Sequence, residues 1–394
     1  INGPAAGGGA NLALAWDLRI MADTASIGQT FSRIGLHPDW GGTYFLPRLV
    51  GEARALELMW SGRMVGAEEA LEIGRESLAV WPPGARPADR AEALEWHSLH
   101  HYWLGRYEGG VEVAREAIEV GKDVYSVFGV VNGHADLGLS LTGLGRHEEA
   151  LEIFARGAAQ GRELELQPRF TSRLMNMWAG ALRELYEIEE ARRLNEEAIE
   201  FAGRISFAGA VVSGRIDLAA LDLLNGDVGA AEAALPALLE AAGATKGWHQ
   251  WLWTTRIGAL AAEVGLAAGQ LEAAVEAAHE ALERAKRYRR LKYVTAARIA
   301  LGSALLAQGK PAVGADCLRQ ALAEAEQLKH PPSIWRAAAK LAEALYAAGD
   351  DSGADGAMRQ ARETIDAFAA QLSDARRERF LSAPQLADVV AVSR

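Results

Sequence analysis

Gly145-Arg146-His147-Glu148-Glu149-Ala150-Leu151 reads as the turn inside a helical hairpin. A glycine ends one helix in a left-handed cap, acids occupy the first turn of the next, and Ala-Leu resumes an apolar stripe. The pattern recurs with anchors at Gly105, Gly145, Tyr186 in the place of glycine, Gly226, Gly269, Gly309 and Gly349, at spacings of 40, 41, 40, 43, 40 and 40 residues. Five residues past the anchor stand Ala150, Ala191, Ala231, Ala274, Gly314 and Ala354; twelve past it stand Ala117, Ala198, Ala281, Ala321 and Ala361. Small side chains there let neighbouring helices approach closely. A two-helix hairpin cannot bury its own apolar face, so this period predicts stacked copies sharing a continuous core, an α-α solenoid.

The array resembles the tetratricopeptide-repeat (TPR) superfamily in a longer-period form, over roughly residues 90–380. In a solenoid the first helix of each hairpin lines the concave face, which suits a protein or peptide partner. Trp178 and then Trp248, Trp251 and Trp253 lie in the middle copies, and the last three are candidate partner contacts. Trp251 and Trp253 cannot both face the same way, so at least one belongs to the core. The basic run Arg284-Ala285-Lys286-Arg287-Tyr288-Arg289-Arg290-Leu291-Lys292 is read as a solvated turn complementing a helix C-terminus, against a phosphate-binding alternative. His97 and His101 share a helical face with no third ligand in sight, so no metal is expected.

At 394 residues the chain exceeds one ordinary core, and at least two units are expected. No apolar run reaches the ~18 residues of a membrane span, and no basic-then-apolar leader opens the chain, which points to the cytoplasm and away from membranes. The formal charge of −11 argues against a general nucleic-acid surface. Cys317 is the lone cysteine and forms no internal disulfide. The chain opens at Ile1 inside an element already running, so an upstream segment is expected.

Residues 1–74 follow a different pattern. Asn2-Gly3-Pro4-Ala5-Ala6-Gly7-Gly8-Gly9-Ala10-Asn11 is a glycine-rich turn feeding the helical run Leu12-Ala13-Leu14-Ala15. Unpaired N–H groups at such a helix start can hold a developing oxyanion. Asp17-Leu18-Arg19-Ile20-Met21-Ala22-Asp23 alternates like a strand, and Ala25-Ser26-Ile27-Gly28-Gln29, Ile34-Gly35-Leu36-His37-Pro38-Asp39-Trp40-Gly41-Gly42-Thr43 and Leu46-Pro47-Arg48-Leu49-Val50-Gly51 follow. Gly66-Ala67-Glu68-Glu69-Ala70-Leu71-Glu72-Ile73-Gly74 reads as a short helix.

Together these stretches resemble the enoyl-CoA hydratase/isomerase (crotonase) superfamily, up to Gly74. The resemblance implies stacked strand-strand-helix turns and stabilisation of a thioester enolate by two backbone N–H groups. It places one donor at Gly8, between Gly7 and Gly9, and the other upstream of Ile1. Hydratases of the family carry two glutamates where this chain has Asn11 and Phe31, so hydration is disfavoured. Isomerase-type members use an acid in the segment of Asp39, which is the candidate general acid/base if burial beside Trp40 raises its pKa; the alternative is an ordinary Pro-Asp-x-Gly turn. Asn11 either positions the thioester or caps the helix, and Phe31 and Trp40 line an apolar acyl pocket or pack. A coenzyme A thioester is the implied substrate, with no cofactor bound permanently. The piece is far shorter than a family domain, so activity of this chain alone is not expected.

The expected organisation is mainly α: a truncated α/β crotonase-like domain over residues 1–74, a Pro/Gly-rich linker over 75–88, TPR-like hairpins over 89–370, and a capping helix and tail over 371–394. A natural fusion and a joining of unrelated reading frames both fit the abrupt change at Arg75. Phe380-Leu381-Ser382-Ala383-Pro384-Gln385-Leu386 resembles the ending after repeat arrays of bacterial signalling ATPases and cyclases. Two functions follow: an acyl-CoA isomerase-like fragment fused to an interaction solenoid, or a non-catalytic repeat scaffold for a protein partner.

Overall fold

The computed structural model describes residues 1–16, 19–79, 87–122, 124, 126–163, 168–245, 248–288 and 290–390. Two compact units emerge, Ile1–His97 and Ser98–Arg394.

In the first unit, β1 (Pro4–Ala6) pairs parallel with β2 (Ser26–Gly28), which pairs antiparallel with β3 (Met64–Gly66), giving the order β1-β2-β3. The helices are α1 (Gly8–Leu14), α2 (Gly42–Val50), α3 (Glu52–Ser61), α4 (Ala67–Ala79) and α5 (Pro87–Trp103), the last running through the unit boundary. Leu14, Leu46, Leu58, Met59, Val65 and Ile73 form a small core. Leu12, Trp16, Ile34, Leu36, Trp40 and Trp60 remain exposed. Two expectations are corrected. Residues 19–22 are not a strand; Ala22 N–H instead donates to the Ile1 carbonyl at 2.8 Å. The helix expected to stop before Gly74 continues to Ala79, because one glycine weakens a helix without ending it unless φ turns positive. Most of the expected linker, residues 80–86, lies outside the described residues.

The second unit is the α-α solenoid. Past α5 come α6 (Tyr107–Lys122), a π-helical turn (Phe128–Asn132), α7 (Gly133–Gly143), α8 (His147–Glu163), α9 (Pro168–Glu184), α10 (Ile188–Arg204), α11 (Ala208–Leu224), α12 (Val228–Ala244), α13 (Trp248–Ala267), α14 (Leu271–Arg287), α15 (Leu291–Ala307), α16 (Pro311–Leu328), α17 (Pro331–Ala348) and α18 (Asp351–Ala369). Every anchor has positive φ, from Tyr186 at 59° to Gly226 and Gly349 at 84°. At Gly145 the cap closes with Arg146 N–H donating to the Leu141 carbonyl at 2.9 Å, which satisfies an otherwise orphaned acceptor. Tyr186 adopts the same turn without glycine's freedom and has its ring stacked on Phe380, with centroids 5.9 Å apart. The alanines five and twelve residues past the anchors are all completely buried.

The array does not end as an open stack. The hairpin turns meet the C-terminal elements in order: Lys329 pairs with Glu108 at 3.3 Å, Pro331 abuts Gly145, and α19 (Asp374–Leu381) places Arg376 between Glu148 and Glu187. Gln385 then donates to the Leu224 carbonyl at 2.9 Å. One apolar core accordingly joins residues 111–221 to 315–389, and the expected continuous core is corrected, because residues 212–264 and 262–301 form two further clusters. The segment expected as a capping helix packs on the last hairpin through Trp335 and Phe368 and reaches the turn of an earlier one at Tyr186, where Phe380 is fully buried. After it come a 3-10 turn (Pro384–Leu386) and α20 (Ala387–Val390).

This closure predicts a contrast between two glycines. A Cβ at Gly145 would stand 2.6 Å from Pro331 Cγ, whereas one at Gly226 meets open space. Both substitutions to alanine should lose about 1–2 kcal/mol to left-handed strain. Gly145→Ala should lose measurably more, read from urea midpoints; equal losses would mean that Pro331 does not rest on this turn.

Candidate functional site

The first unit builds its glycine turn as follows. Gly7, at φ 54° and ψ −120°, extends the β1–β2 pairing by donating its N–H to the Gly28 carbonyl at 2.9 Å. α1 then starts at Gly8, whose N–H, as the first of the helix, has no intrahelical acceptor. The Trp40 indole lies against this residue, with Cδ1 3.7 Å from where a Cβ would stand, and Gly9 is exposed. Phe31 is buried against Gly7.

Asn11 is fully buried and both ends of its amide are taken. Its Nδ2 donates to the Asp39 main-chain carbonyl at 2.7 Å, and its Oδ1 accepts from Gln29 Nε2 at 2.5 Å. It therefore ties the 39–42 segment to the helix start and neither caps α1 nor presents a group to a thioester. Gly42 is required beside it, since a Cβ there would sit 2.4 Å from Asn11 Nδ2. The expected burial of Asp39 beside Trp40 is not found: the Asp39 side chain is exposed and Trp40 is 72% exposed. Among the described residues no element of this unit covers residues 35–41, whose chain turns through positive φ at Gly35, Trp40 and Gly41.

The second unit offers a site of a different kind. The first helices of successive hairpins line a half-open cavity of about 190 Å³. On α9, Arg173, Asn176, Met177, Gly180 and Glu184 recur at helical spacing and share its wall with Asp217, Arg256 and Lys292. Asp217 Oδ1 is approached by two guanidinium groups, Arg256 Nη2 at 2.8 Å and Arg183 Nη1 at 3.4 Å. Glu184 binds Lys292 Nζ at 3.4 Å through Oε1, while Oε2 accepts from His147 Nε2 at 3.0 Å and lies 3.5 Å from His330 Nε2. Burial acts to raise the Glu184 carboxyl, but Lys292 and the two imidazoles outweigh it and hold it well below the usual range. Among the described residues, no group of three His, Cys, Asp or Glu side chains is placed to hold a metal, and no helix is long and apolar enough to cross a membrane.

Of the candidate tryptophans, Trp253 is corrected to a core residue, 1% exposed, with its Nε1 donating to Ser213 Oγ at 3.0 Å. Trp251 is engaged internally, stacked on Tyr288 at 5.3 Å and edge-on to Trp103 at 5.9 Å. The side chain of Trp248 lies outside the described residues. The same helix instead turns His249, Leu252 and Arg256 toward the cavity. The basic run is corrected in its second half: Arg284, Lys286 and Arg287 stand in the last turn of α14, the latter two exposed, whereas Arg290 lies over Trp103 and Trp251, at 5.2 Å from each, and Lys292 lines the cavity wall. Arg289 is outside the described residues.

Burial pushes the imidazoles of His330 and His249 down to about 4 from 6.5, with neighbouring Arg173 and Arg169 adding to the effect at His249. The unfolded chain therefore takes up these protons first as pH falls. Stability should be complete above about pH 6.5 and decline toward pH 4, each histidine adding at most about 1.4 kcal/mol per pH unit. Glu184, whose folded pKa is lowered, acts in the same sense below its unfolded value of 4.5. Urea midpoints between pH 8 and pH 4 test this; a flat profile from 6.5 to 4, or one unchanged by His330→Asn with His249→Asn, would refute it.

Residues 1–78 match the family model described as Enoyl-CoA hydratase/isomerase. A probable enoyl-CoA hydratase of Rhodobacter capsulatus is 44% identical over 106 residues, 27% of this chain and 36% of that protein. The 1,2-epoxyphenylacetyl-CoA isomerase of Escherichia coli is 50% identical over 99 residues, 25% of this chain and 36% of that protein. The chain thus spans about a third of the length of these curated relatives, and the likeness runs past Arg75, where the motifs had ended. The helical array is similar to TPR-like proteins. One is the Rap conjugation gene regulator of the plasmid pLS20, whose structure was solved in complex with a Phr peptide. It covers 87% of this chain and 95% of that one, with a TM-score of 0.57 at 14% identity. At that identity the fold alone is shared.

Proposed function

We propose that the helical array binds a peptide segment of a protein partner in its concave cavity, and that the first unit is a piece of crotonase fold with no activity of its own in this chain. The observation that carries the first part is the wall of charged, amide and aromatic side chains that successive inner helices turn toward one cavity in a closed solenoid. Concave sites with a few convergent polar groups among apolar ones are where ligands bind. The pLS20 regulator, a structural neighbour solved with a peptide, supports the same reading. Asn176 stands in the wall with its Nδ2 donating to Asn195 Oδ1 at 3.0 Å and its own oxygen without a hydrogen-bond partner among the described residues. The test is retention of members of a random peptide library on the immobilised full chain, followed by photo-crosslinking. Crosslinks on α9, α11 and α13 are expected; no retained peptide, or crosslinks confined to the outer helices, would sink the reading.

A second reading rests on the open N–H of Gly8 at the start of α1. In the family it would be one of two donors to a thioester enolate, and losing one such donor typically lowers a rate by about 10²–10³. With Asp39 solvated and Asn11 consumed, this unit supplies one donor and no shielded acid/base. Acyl-CoA binding without double-bond migration is the expected outcome. Titration calorimetry with an acyl-CoA decides: absence of heat at high micromolar ligand leaves only the array's function, and turnover would return Asp39 to the mechanism.

A further inference from the structure

The array is sealed where the turn between α16 and α17 rests on the turns at Gly105 and Gly145. Lys329 stands in that turn at φ 54°, a left-handed conformation that a residue with a Cβ adopts at a cost. Leu328 packs on Gly105, where an added Cβ would lie 2.4 Å from its Cδ2, and Pro331 abuts Gly145. Between them His330, 2% exposed, turns inward, with Nδ1 2.8 Å from Ser333 Oγ and Nε2 3.5 Å from Glu184 Oε2. From the other side of this seam His147, two residues past Gly145, reaches the same oxygen with Nε2 at 3.0 Å. Two imidazoles that belong to opposite sides of the contact thus converge on one carboxylate oxygen.

The charges around them are already balanced. His330 faces Glu184 from α9, Lys292 from α15 and His147 from α8, while Arg336 of its own helix acts on Glu184 and Glu263. Glu184 answers Lys292, so an imidazolium at this place is a surplus buried cation. His147 Nδ1 is buried without a hydrogen-bond partner among the described residues, and a proton there creates an N–H with no acceptor. Water meets both needs once the seam parts. We infer that the seam is a proton-sensitive closure: acidification charges the imidazoles that meet on Glu184 and parts the 328–331 turn from the turns at Gly105 and Gly145, with the hairpins still folded. Glu184 and Lys292 also line the cavity, so the closure and the cavity wall respond together. Burial pushes His330 down to about 4 in the closed form. The closed form is therefore favoured in full above about pH 6.5, the ordinary value of an exposed imidazole, and loses up to about tenfold of that preference per pH unit from there toward pH 4.

Leu328→Cys in a Cys317→Ser background, with the full chain otherwise intact, puts one thiol inside the seam. Its labelling rate by a dipyridyl disulfide, divided at each pH by the rate in denaturing urea, reads the opening constant. From pH 7.5 to pH 4.5 that ratio should rise at least about thirtyfold. It should depend little on sub-denaturing urea, the mark of a local opening that exposes little surface. His330→Asn, which cannot take up a charge, should cut the rise at least about tenfold. Lys292→Met should reverse its direction, because Glu184 is then the unpaired charge and an imidazolium offsets it. Melting curves identify any variant that fails to fold; Pro331→Cys, at Gly145, then carries the label and His330→Gln replaces His330→Asn. Four results would each overturn the inference: a flat ratio between pH 7.5 and pH 4.5, a urea dependence as steep as that of global unfolding, a rise undiminished by His330→Asn, or the same rise in Lys292→Met.

Discussion

Glu184→Gln is expected to destabilise the solenoid by about 3 kcal/mol or more, the loss usual when one partner of a buried ion pair is removed. The substitution preserves shape and removes only charge. Lys292 Nζ, 3.4 Å away, would then lie in a wall only 23% exposed with its counter-ion gone, and one of the two oxygens, facing either Lys292 or the imidazoles of His147 and His330, would become an amide NH2. The two residues are 108 positions apart, so the pair also fastens α9 to α15. The double variant Glu184→Gln with Lys292→Met should recover most of the loss, because with both charges removed no uncompensated charge is left in the wall. Chemical denaturation of the four chains of this cycle is the measurement. A single-variant loss below about 1 kcal/mol, the range of exposed pairs, would mean that water reaches the node freely. Additive losses in the double variant would mean that the two side chains do not interact.

What the sequence made legible was the local part of the fold. Seven anchors and the alanines at fixed offsets from them specify each hairpin and its neighbour, and local spacing is what periodicity records. Tyr186 shows the limit: its place in the period is readable, whereas the Phe380 ring stacked against it lies far along the chain and leaves no periodic trace. Closure of the array stayed hidden for the same reason. The cavity does have a signal in the sequence, since Arg173, Asn176, Met177, Gly180 and Glu184 mark one face of α9, but the tryptophans at 248, 251 and 253 are the louder one. In the first unit the motif order located the glycine turn. It could not show that the Asn11 amide is spent on Gln29 and the Asp39 carbonyl, because either residue type would read the same with its side chain free.

Phe380→Ala should cost about 3–5 kcal/mol, the range for removing a fully buried phenyl ring. The ring is 0% exposed and contacts three others, with centroids at 5.9 Å from Tyr186, 5.7 Å from Trp335 and 5.2 Å from Phe368. An ordinary repeat array loses stability locally, because each repeat touches only its neighbours. Here the cavity would form between the turn of one hairpin and the last hairpin and tail, so the loss should propagate: α19 releases, and Arg376 leaves Glu148 and Glu187. Small-angle scattering should then show a larger radius of gyration, and limited proteolysis should cut near residues 370–382. Arg376→Ala is the control. It removes two ion pairs about as covered as the Glu184–Lys292 pair, so stability should fall, but it takes away no apolar ring and should leave the array closed. If Phe380→Ala merely frays the tail, with unchanged scattering and a loss under about 1 kcal/mol, the ends of the array are held together by something other than this aromatic contact. If Arg376→Ala opens the array as fully as Phe380→Ala, charge rather than apolar burial is the fastening.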